Sequence, residues 1–206
     1  MKYQLVFARW KDIFKRLAGR GIYPHELAFL LDSPLRKLIL SPGKLSDRLH
    51  LSAGSVVLEL GSGPGYFSSE VSKRIPDGHL ILFDIQTEML KKSLQKLEHE
   101  KIRNANAVKG NAIVLPFNNR VFDVVFLVTV LGEVTDPKEC ISSINKVLRV
   151  GGILSITEMQ GDPDVLSEND INQMVMQYGF EFLEKFPSFK GFTINYKKVS
   201  EIDNRF

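Results

Sequence analysis

The sequence predicts a doubly wound α/β fold, in which a mainly parallel sheet carries helices on both faces. After residue 50, short apolar runs typical of buried strands alternate with helical patterns. Three glycines, at positions 61, 63 and 65, follow directly after the first of these runs. The last two strand-like runs are joined by PSFKG, which is too short for a parallel crossover. We therefore expect a seven-stranded, mainly parallel sheet with an antiparallel last strand.

The first 50 residues have the pattern of an N-terminal helical cap. Trp10, Phe14 and Leu17 belong to an apolar stripe at helical spacing, and basic residues flank that stripe. Further helices are expected to begin at three pairs in which a proline suits the first helical turn: Tyr23-Pro24, Ser33-Pro34 and Ser41-Pro42. We expect residues 1–50 to be a cap of the same domain and residues 51–206 to be the ligand-binding domain.

Strand and helix patterns follow one another along the rest of the chain. Strands are expected at 55–60, 79–84, 106–110, 122–128, 152–158, 180–186 and 192–199. Helices are expected at 87–100, 137–149 and 167–179. The last helix opens with Ser167 and Asp170 in a capping-box-like spacing and stops at Gly179.

Composition favours one globular domain. The chain has 206 residues, of which 44% are hydrophobic and 25% charged, so it can bury one full core and is short for two ordinary domains. No apolar run approaches the roughly 20 residues that a membrane-spanning helix needs, and no cleavable leader is evident. A cytoplasmic location is therefore expected. The single cysteine, Cys140, excludes an internal disulfide and a cysteine-cluster metal site, and we expect it to be a small apolar group on a helix.

The positive charge is concentrated at the N-terminus. Residues 1–20 hold six basic residues and one acidic residue, so their net charge is +5. Because the whole chain has a net charge of +3, the remainder carries 3 − 5 = −2. This distribution argues against a broad nucleic-acid surface and for a local basic helix. Two roles stay open for its apolar stripe: packing on the core, or peripheral contact with a membrane surface.

The stretch VLELGSGPGYFS, residues 57–68, has three alternative interpretations, which differ in the ligand that the loop would bind. A phosphate-binding P-loop needs Gly-Lys-Ser/Thr, but Gly65 is followed by Tyr66 and Phe67. A dinucleotide fingerprint needs G-x-G-x-x-G, whereas this chain has G-x-G-x-G; Asp84, 19 residues past Gly65, nevertheless lies near the position expected for a ribose-binding acid. The third alternative is a nucleoside ligand without a pyrophosphate.

Glu59 favours the third alternative. It lies two residues before Gly61, where a fixed negative charge would oppose a pyrophosphate and favour a cation. S-adenosylmethionine fits this requirement, because its sulfonium and ammonium are positive and its ribose offers two hydroxyls that one carboxylate can accept. Alternating glycines would let the backbone approach such a ligand closely.

The chain resembles class I S-adenosylmethionine-dependent methyltransferases, and within them the group that contains the ubiquinone and menaquinone methyltransferases. The resemblance covers about residues 50–160 and rests on five ordered segments: VLELGSGPGYFS, LFDIQTEML, GNAIVLPF, FDVVFLVTVLGEV and LRVGGILSITE. It implies a Rossmann-like methyltransferase fold, S-adenosylmethionine as cofactor and S-adenosylhomocysteine as product. It also implies a small-molecule methyl acceptor of amphipathic or quinol-like character.

The resemblance also implies roles for the residues around the glycine loop. Glu59 would orient the methionine end of the cofactor, and Gly61, Gly63 and Gly65 would line it. Asp84 would accept both ribose hydroxyls. For Asp84 alone, a charge placed at a helix N-terminus is an equally plain explanation.

The remaining implied contacts surround the adenine and the ammonium. Ile85 and Met89 would pack on the adenine or beside the ribose, and Asn111 and Ala112 would meet the adenine edge. The Leu127 carbonyl would accept a hydrogen bond from the ligand's ammonium. Members of the family usually carry Asp where this chain has Asn111, and an amide both accepts and donates.

Acidic and histidine side chains outside these motifs have simple alternatives. Glu133, after the fourth strand, is the candidate general base, with an exposed loop carboxylate as its rival. Glu158, near the end of the fifth strand, has the same two interpretations. His79 and His99 are expected at the surface, and His25 in a capping or surface role.

Three function classes remain open from the sequence. The first is an S-adenosylmethionine-dependent methyltransferase whose acceptor and methylated atom are unspecified. The others are an NAD-dependent oxidoreductase and a non-catalytic S-adenosylmethionine-binding protein. The fourth strand ends in LVTV and not in the Asn/Asp-Pro-Pro-Tyr/Phe of enzymes that methylate amino groups of nucleic-acid bases, so such a base is not expected as the acceptor. No metal is expected, and the oligomeric state is left open.

Overall fold

A computed structural model describes residues 40–160, 164–188 and 190–201. Its strands are β1 (Val56–Leu60), β2 (His79–Asp84), β3 (Ala105–Lys109), β4 (Phe122–Val128), β5 (Leu148–Met159), β6 (Phe180–Ser188) and β7 (Gly191–Lys198). Its α-helices are α1 (Pro42–Arg48), α2 (Ser68–Arg74), α3 (Thr87–His99), α4 (Pro137–Val147) and α5 (Glu168–Met176), and Leu131–Glu133 form one 3₁₀ turn.

The strands form one seven-stranded sheet in the order β3-β2-β1-β4-β5-β7-β6. Strands β1 to β5 pair in parallel, whereas β7 is antiparallel to both of its neighbours, β5 and β6. The predicted fold class is therefore confirmed. The strand order reverses between β1 and β4, so their carboxyl ends open a crevice where α/β sheets bind ligands.

Helices cover the sheet on both faces, as expected for a doubly wound fold. On one face, α4 and α5 pack on a core that includes Leu58 and Leu60 of β1. On the other, α1, α2 and α3 pack on a core that includes Val57. Because side chains alternate along a strand, Glu59 lies on the same face as Val57, beneath α2 and α3.

Most element predictions hold, and two differences have local causes. Helix α2 was not predicted, because its sequence SSEVSKR buries three serines, at 68, 69 and 72, where an apolar stripe would have signalled a helix. Strand β5 begins at Leu148 and not near residue 152. Its pairing with β4 shifts register between Phe122 and Val124, and Gly151 adopts a left-handed φ of 83° beside that irregularity.

Cys140 lies buried on α4, as predicted. Burial raises the pKa of its thiol to about 12. The thiolate is therefore scarce at neutral pH, and Cys140 acts as a core side chain.

The N-terminal cap is described only from Leu40 onward. The predicted helix start at Ser41-Pro42 is confirmed, since Ser41 caps α1 and its Oγ accepts a hydrogen bond from the Lys44 N–H at 3.2 Å. The stripe around Trp10, the earlier helix starts and His25 lie outside the described residues. Among the helices that are described, none is long and apolar enough to cross a bilayer.

Asp123 ties three strands together at the amino end of the sheet. One carboxylate oxygen accepts from the Val56 N–H at 2.6 Å, and the other lies 2.5 Å from an Arg149 guanidinium nitrogen. These contacts join the starts of β1 and β4 to β5. They lie at the end opposite the crevice.

We expect Asp123→Ala to lower the free energy of unfolding by about 1–3 kcal/mol, because the part-buried Val56 N–H loses a charged acceptor. Urea unfolding measures this loss. Ligand affinity at the carboxyl ends of the strands should not change, and an affinity loss beyond the stability loss would contradict this separation of the two ends.

Candidate functional site

A cavity lies at the carboxyl ends of β1, β2 and β4, at the point where the strand order reverses. Eight of the ten residues predicted to bind the cofactor line it: Glu59, Gly61, Gly63, Asp84, Ile85, Met89, Asn111 and Ala112. Glu133, the candidate general base, also lines it. Gly65 and Leu127 do not.

Asp84 ends β2 and faces the cavity, with 8% of its surface exposed. Its Oδ2 accepts from the Gly63 N–H at 2.9 Å, and its Oδ1 accepts from the Gln86 N–H at 2.8 Å. Burial raises the pKa of Asp84, and the backbone N–H groups of Gln86, Gly63 and Ile85 oppose that rise. Each carboxylate oxygen has a second lone pair, so Asp84 fixes the local backbone and can still accept from a ligand.

The three loop glycines have different surroundings. A Cβ on Gly61 would lie 2.4 Å from a methyl group of Val130, and a Cβ on Gly65 would lie 2.8 Å from the Cβ of Ser93. A Cβ on Gly63 would meet nothing within 4 Å, although its φ of 52° is left-handed. Gly65 is therefore required for packing on α3, whereas Gly63 borders the open space of the cavity.

Glu59 lies almost fully buried at the base of the cavity, with 2% exposed. Its Oε2 accepts from the Ser68 hydroxyl at 2.5 Å. Burial raises the pKa of Glu59 to about 8, in spite of the Ser68 hydrogen bond and the more distant charge of Lys96; the charge of Asp84 adds to the rise. The site thus holds a carboxyl group that a nearby cation would ionise.

Apolar side chains flank Asp84 at the mouth of the cavity. Ile85 is 42% exposed although it borders the cavity, and Met89 lies buried in the first turn of α3. Phe83, which sequence reasoning missed, also contributes to the lining. Together they form a surface that suits one face of a flat heteroaromatic ring.

Asn111 forms a local turn through its side chain. Its Oδ1 accepts from the Ile113 N–H at 3.2 Å, which is an Asx turn after β3. Ala112 follows it in the lining. Because the turn engages the Asn111 Oδ1, the side-chain NH2 group remains as a hydrogen-bond donor for a ligand in this part of the cavity.

The end of β4 also contributes to the cavity. The Leu127 side chain lies in the core beneath α4, and its neighbours Phe126 and Val128 line the cavity. The expected contact of the Leu127 backbone carbonyl with a ligand ammonium stays a prediction. Thr129 also lines it and has a φ of 54°, a left-handed conformation that is uncommon for a β-branched residue. The Thr129 N–H donates to the Thr157 carbonyl at 2.8 Å, which holds this turn against β5.

Of the remaining acidic and histidine candidates, only Glu133 lines the cavity in the described part of the chain. Glu133 is half-buried in the 3₁₀ turn at the cavity wall. Glu158 is buried within β5 and is absent from the lining. His79 contacts Asn106 at 2.7 Å at the start of β2, and His99 is exposed at the end of α3.

The charged side chains that line the cavity in the described part of the chain are all acidic: Glu59, Asp84 and Glu133. A cavity of this kind attracts cations and repels anions such as pyrophosphate. The described residues also contain no cluster of three or more His, Cys, Asp and Glu side chains that could hold a metal ion.

Comparison with known proteins gives a family match. The family model of a methyltransferase domain matches residues 51–185. The ubiquinone/menaquinone biosynthesis C-methyltransferase UbiE of Marinomonas sp. is 33% identical over 133 residues, 64% of this chain and 51% of that protein. The UbiE of Shewanella halifaxensis is 36% identical over 138 residues, 66% and 53% of the two chains. The chain thus spans about half the length of the curated relatives it matches.

Solved structures share the fold at low sequence identity. A SAM dependent methyltransferase from Aquifex aeolicus has a TM-score of 0.82 at 21% identity, covering 86% of this chain and 100% of that one. The [4+2]-cyclase SpnF has a TM-score of 0.69 at 16% identity, covering 76% and 80%. These likenesses show the architecture alone.

The loop glycines should differ in their effect on stability. Gly65→Ala combines a left-handed φ of 80° with a Cβ contact at 2.8 Å, so we expect it to cost about 2 kcal/mol or more. Gly63→Ala meets only the conformational cost of about 1 kcal/mol. Urea unfolding of both variants measures the difference, and an equal or larger loss for Gly63→Ala would show that the loop packs differently.

Glu59 should make the ligand-free protein less stable as pH rises. Its folded-state pKa of about 8 lies above its ordinary value of 4.5, so the folded state binds the proton more tightly. The resulting stabilisation is complete below pH 4.5 and is lost as pH rises through 8. Glu59→Gln should remove this slope, which amounts to a few kcal/mol in unfolding measured between pH 5 and 9. A wild-type curve parallel to that of the variant would contradict the assignment.

Proposed function

We propose, since this chain belongs to the methyltransferase domain family, that it transfers a methyl group from S-adenosylmethionine to a small-molecule acceptor. S-adenosylmethionine is the cofactor that the family implies. When bound, it would supply an electrophilic methyl group on a sulfonium, which an acceptor atom would attack in line as the carbon–sulfur bond breaks and neutral S-adenosylhomocysteine leaves.

The observation that carries the proposal is the position of Asp84. Its carboxylate ends the strand beside the glycine loop, and both of its oxygens are held by backbone N–H groups while the group borders the cavity. A carboxylate fixed in this way can accept two neighbouring hydroxyls with little loss of side-chain entropy on binding. A ribose with free hydroxyls meets that requirement.

The acidic lining fits the charge of the proposed cofactor. Glu59 lies at the base of the cavity beside the glycine loop, where the cationic methionine end would lie. Ile85 and Met89 would pack on the adenine on the far side of Asp84. The residues present therefore fit an adenosyl cation better than a dinucleotide, whose pyrophosphate would meet no basic side chain among the described lining residues and would lie unfavourably near the Asp84 carboxylate.

The acceptor side of the cavity supports a neutral, amphipathic molecule. Val130 and Val134 are apolar there, Thr129 and Thr135 are polar without charge, and the described lining has no basic side chain to hold an anion. The UbiE relatives are C-methyltransferases of ubiquinone/menaquinone biosynthesis, which supports a quinol-like acceptor methylated at carbon. The basic, amphipathic pattern of residues 1–20 supports peripheral membrane contact during delivery of such an acceptor.

The chain's contribution to catalysis would be alignment and exclusion of water. The walls of the cavity hold donor and acceptor in line, which replaces an encounter in solution by a fixed geometry. Glu133 is the lining carboxylate on the acceptor side, and we assign it the removal of the acceptor's proton.

A thermal-shift comparison of S-adenosylmethionine, S-adenosylhomocysteine and NAD(H) tests the proposal. We expect both adenosyl ligands to raise the melting temperature and NAD(H) to have little effect. Asp84→Ala should weaken adenosyl binding by roughly 100-fold or more, because two hydrogen bonds to a charged group contribute about 1.5–3 kcal/mol each.

Asp123→Ala is the matched control, since it also removes an aspartate that accepts from backbone N–H but lies at the opposite end of the sheet. A larger shift with NAD(H) would favour the oxidoreductase. Adenosyl binding that Asp84→Ala leaves intact would overturn the site. Tight binding without turnover on quinols and phenols would favour a non-catalytic binding protein.

A further inference from the structure

We propose that Ser68 positions the Glu59 carboxyl group for the cofactor, and that cofactor binding releases one proton from Glu59 to solvent. The inference rests on the proposed function, because the cation that displaces the proton is the methyl donor. It adds a residue and a pH dependence to that function.

The contact between Ser68 and Glu59 is short and enclosed. The Ser68 hydroxyl, the first polar side chain of α2, donates to Glu59 Oε2 at 2.5 Å. Ser68 is fully buried and Glu59 is 2% exposed, so water has little access to either group. The hydroxyl therefore directs one carboxyl oxygen into the protein and leaves the other side of the group toward the cavity that Glu59 lines.

The charged groups that face Glu59 do not neutralise it. Among the described residues, Asp84 on β2 adds a like charge, and the distant Lys96 on α3 is the attractive charge that acts on Glu59. Lys96 instead places its Nζ over the Tyr66 ring, 5.8 Å from the centroid. On α2 the facing group is the neutral Ser68 hydroxyl, and Glu59 pairs in register with apolar Phe126 of β4. Within the described ranges, no ion pair joins Glu59 to a basic side chain.

The ligand would supply the missing positive charge. Burial raises the pKa of Glu59 to about 8, so in the ligand-free protein its carboxyl group is mostly protonated at neutral pH. A bound ammonium and sulfonium favour the carboxylate, and the O–H bond of the Glu59 carboxyl breaks as its proton passes to solvent. The Ser68 hydroxyl donates to the charged form, so it lowers the pH at which that exchange occurs.

Calorimetric titration with S-adenosylhomocysteine and S-adenosylmethionine, at pH 6.5 in two buffers of different ionisation enthalpy, counts the protons. We expect nearly one proton released per ligand, and an affinity that weakens about tenfold for each unit of pH below 7. The ligand's own amine, with a pKa of about 8, would take up protons on binding as an ammonium, so the sign of the count separates the two sources.

Two variants test whether the proton comes from Glu59 and whether the Ser68 hydroxyl affects its release. Glu59→Gln should release none. Ser68→Ala should move the pH profile upward by about one unit, giving roughly tenfold weaker binding at pH 7 and an affinity within about twofold of wild type at pH 9. Ser72→Ala is the matched control, since it removes another buried serine hydroxyl from α2 and should leave the profile unchanged.

The outcomes separate this inference from the proposed function. Binding without proton release, or a Ser68→Ala loss that is equal at every pH, would overturn the inference and leave the proposed function standing. An absence of adenosyl binding from pH 6 to 9 would overturn both.

Discussion

The hydrogen bonds between the end of β2 and the glycine loop determine the shape of the cavity. The Phe83 carbonyl accepts from the N–H groups of Gly61 and Ser62, at 2.8 and 3.1 Å, and the Asp84 carboxylate accepts from Gly63. The glycine loop is thus held by hydrogen bonds to β2, an interior strand of the sheet. The left-handed glycines make this course possible, because a Cβ at Gly61 would collide with Val130. The same carboxylate that fixes the loop faces the ligand, so fold and recognition share one group.

A second constraint is electrostatic. In the described part of the chain, three carboxyl groups line the cavity, and no lining residue is basic. Glu59 avoids an unpaired buried charge by keeping its proton, whereas backbone N–H donors stabilise the charged form of Asp84. A site built in this way is incomplete until a cation enters. The parallel sheet places these groups together because the carboxyl ends of neighbouring strands meet at the same edge.

The sequence predicted the strands well, because apolar runs bounded by turn residues have position-specific signals. Its acidic candidates Glu59, Asp84 and Glu133 line the cavity, whereas Glu158 does not, and their roles toward a ligand stay predictions. It could not separate the roles of the glycines, since the contact of Gly65 with Ser93 arises from the packing of α3. It missed α2, whose buried face is made of serines. It did not identify Phe126 and Val128 as lining residues, because the side of a strand's end that faces a crevice depends on tertiary twist.

The architecture alone does not decide the chemistry, since one structural neighbour is a [4+2]-cyclase. The case for methyl transfer depends on how Asp84 and Glu59 meet their ligand. A crystal structure of the complex with S-adenosylhomocysteine tests this most directly. We expect both ribose hydroxyls on the Asp84 carboxylate, the ammonium on the Glu59 side of the glycine loop and the adenine against Ile85. A ligand bound elsewhere, or with its ribose turned away from Asp84, would contradict it.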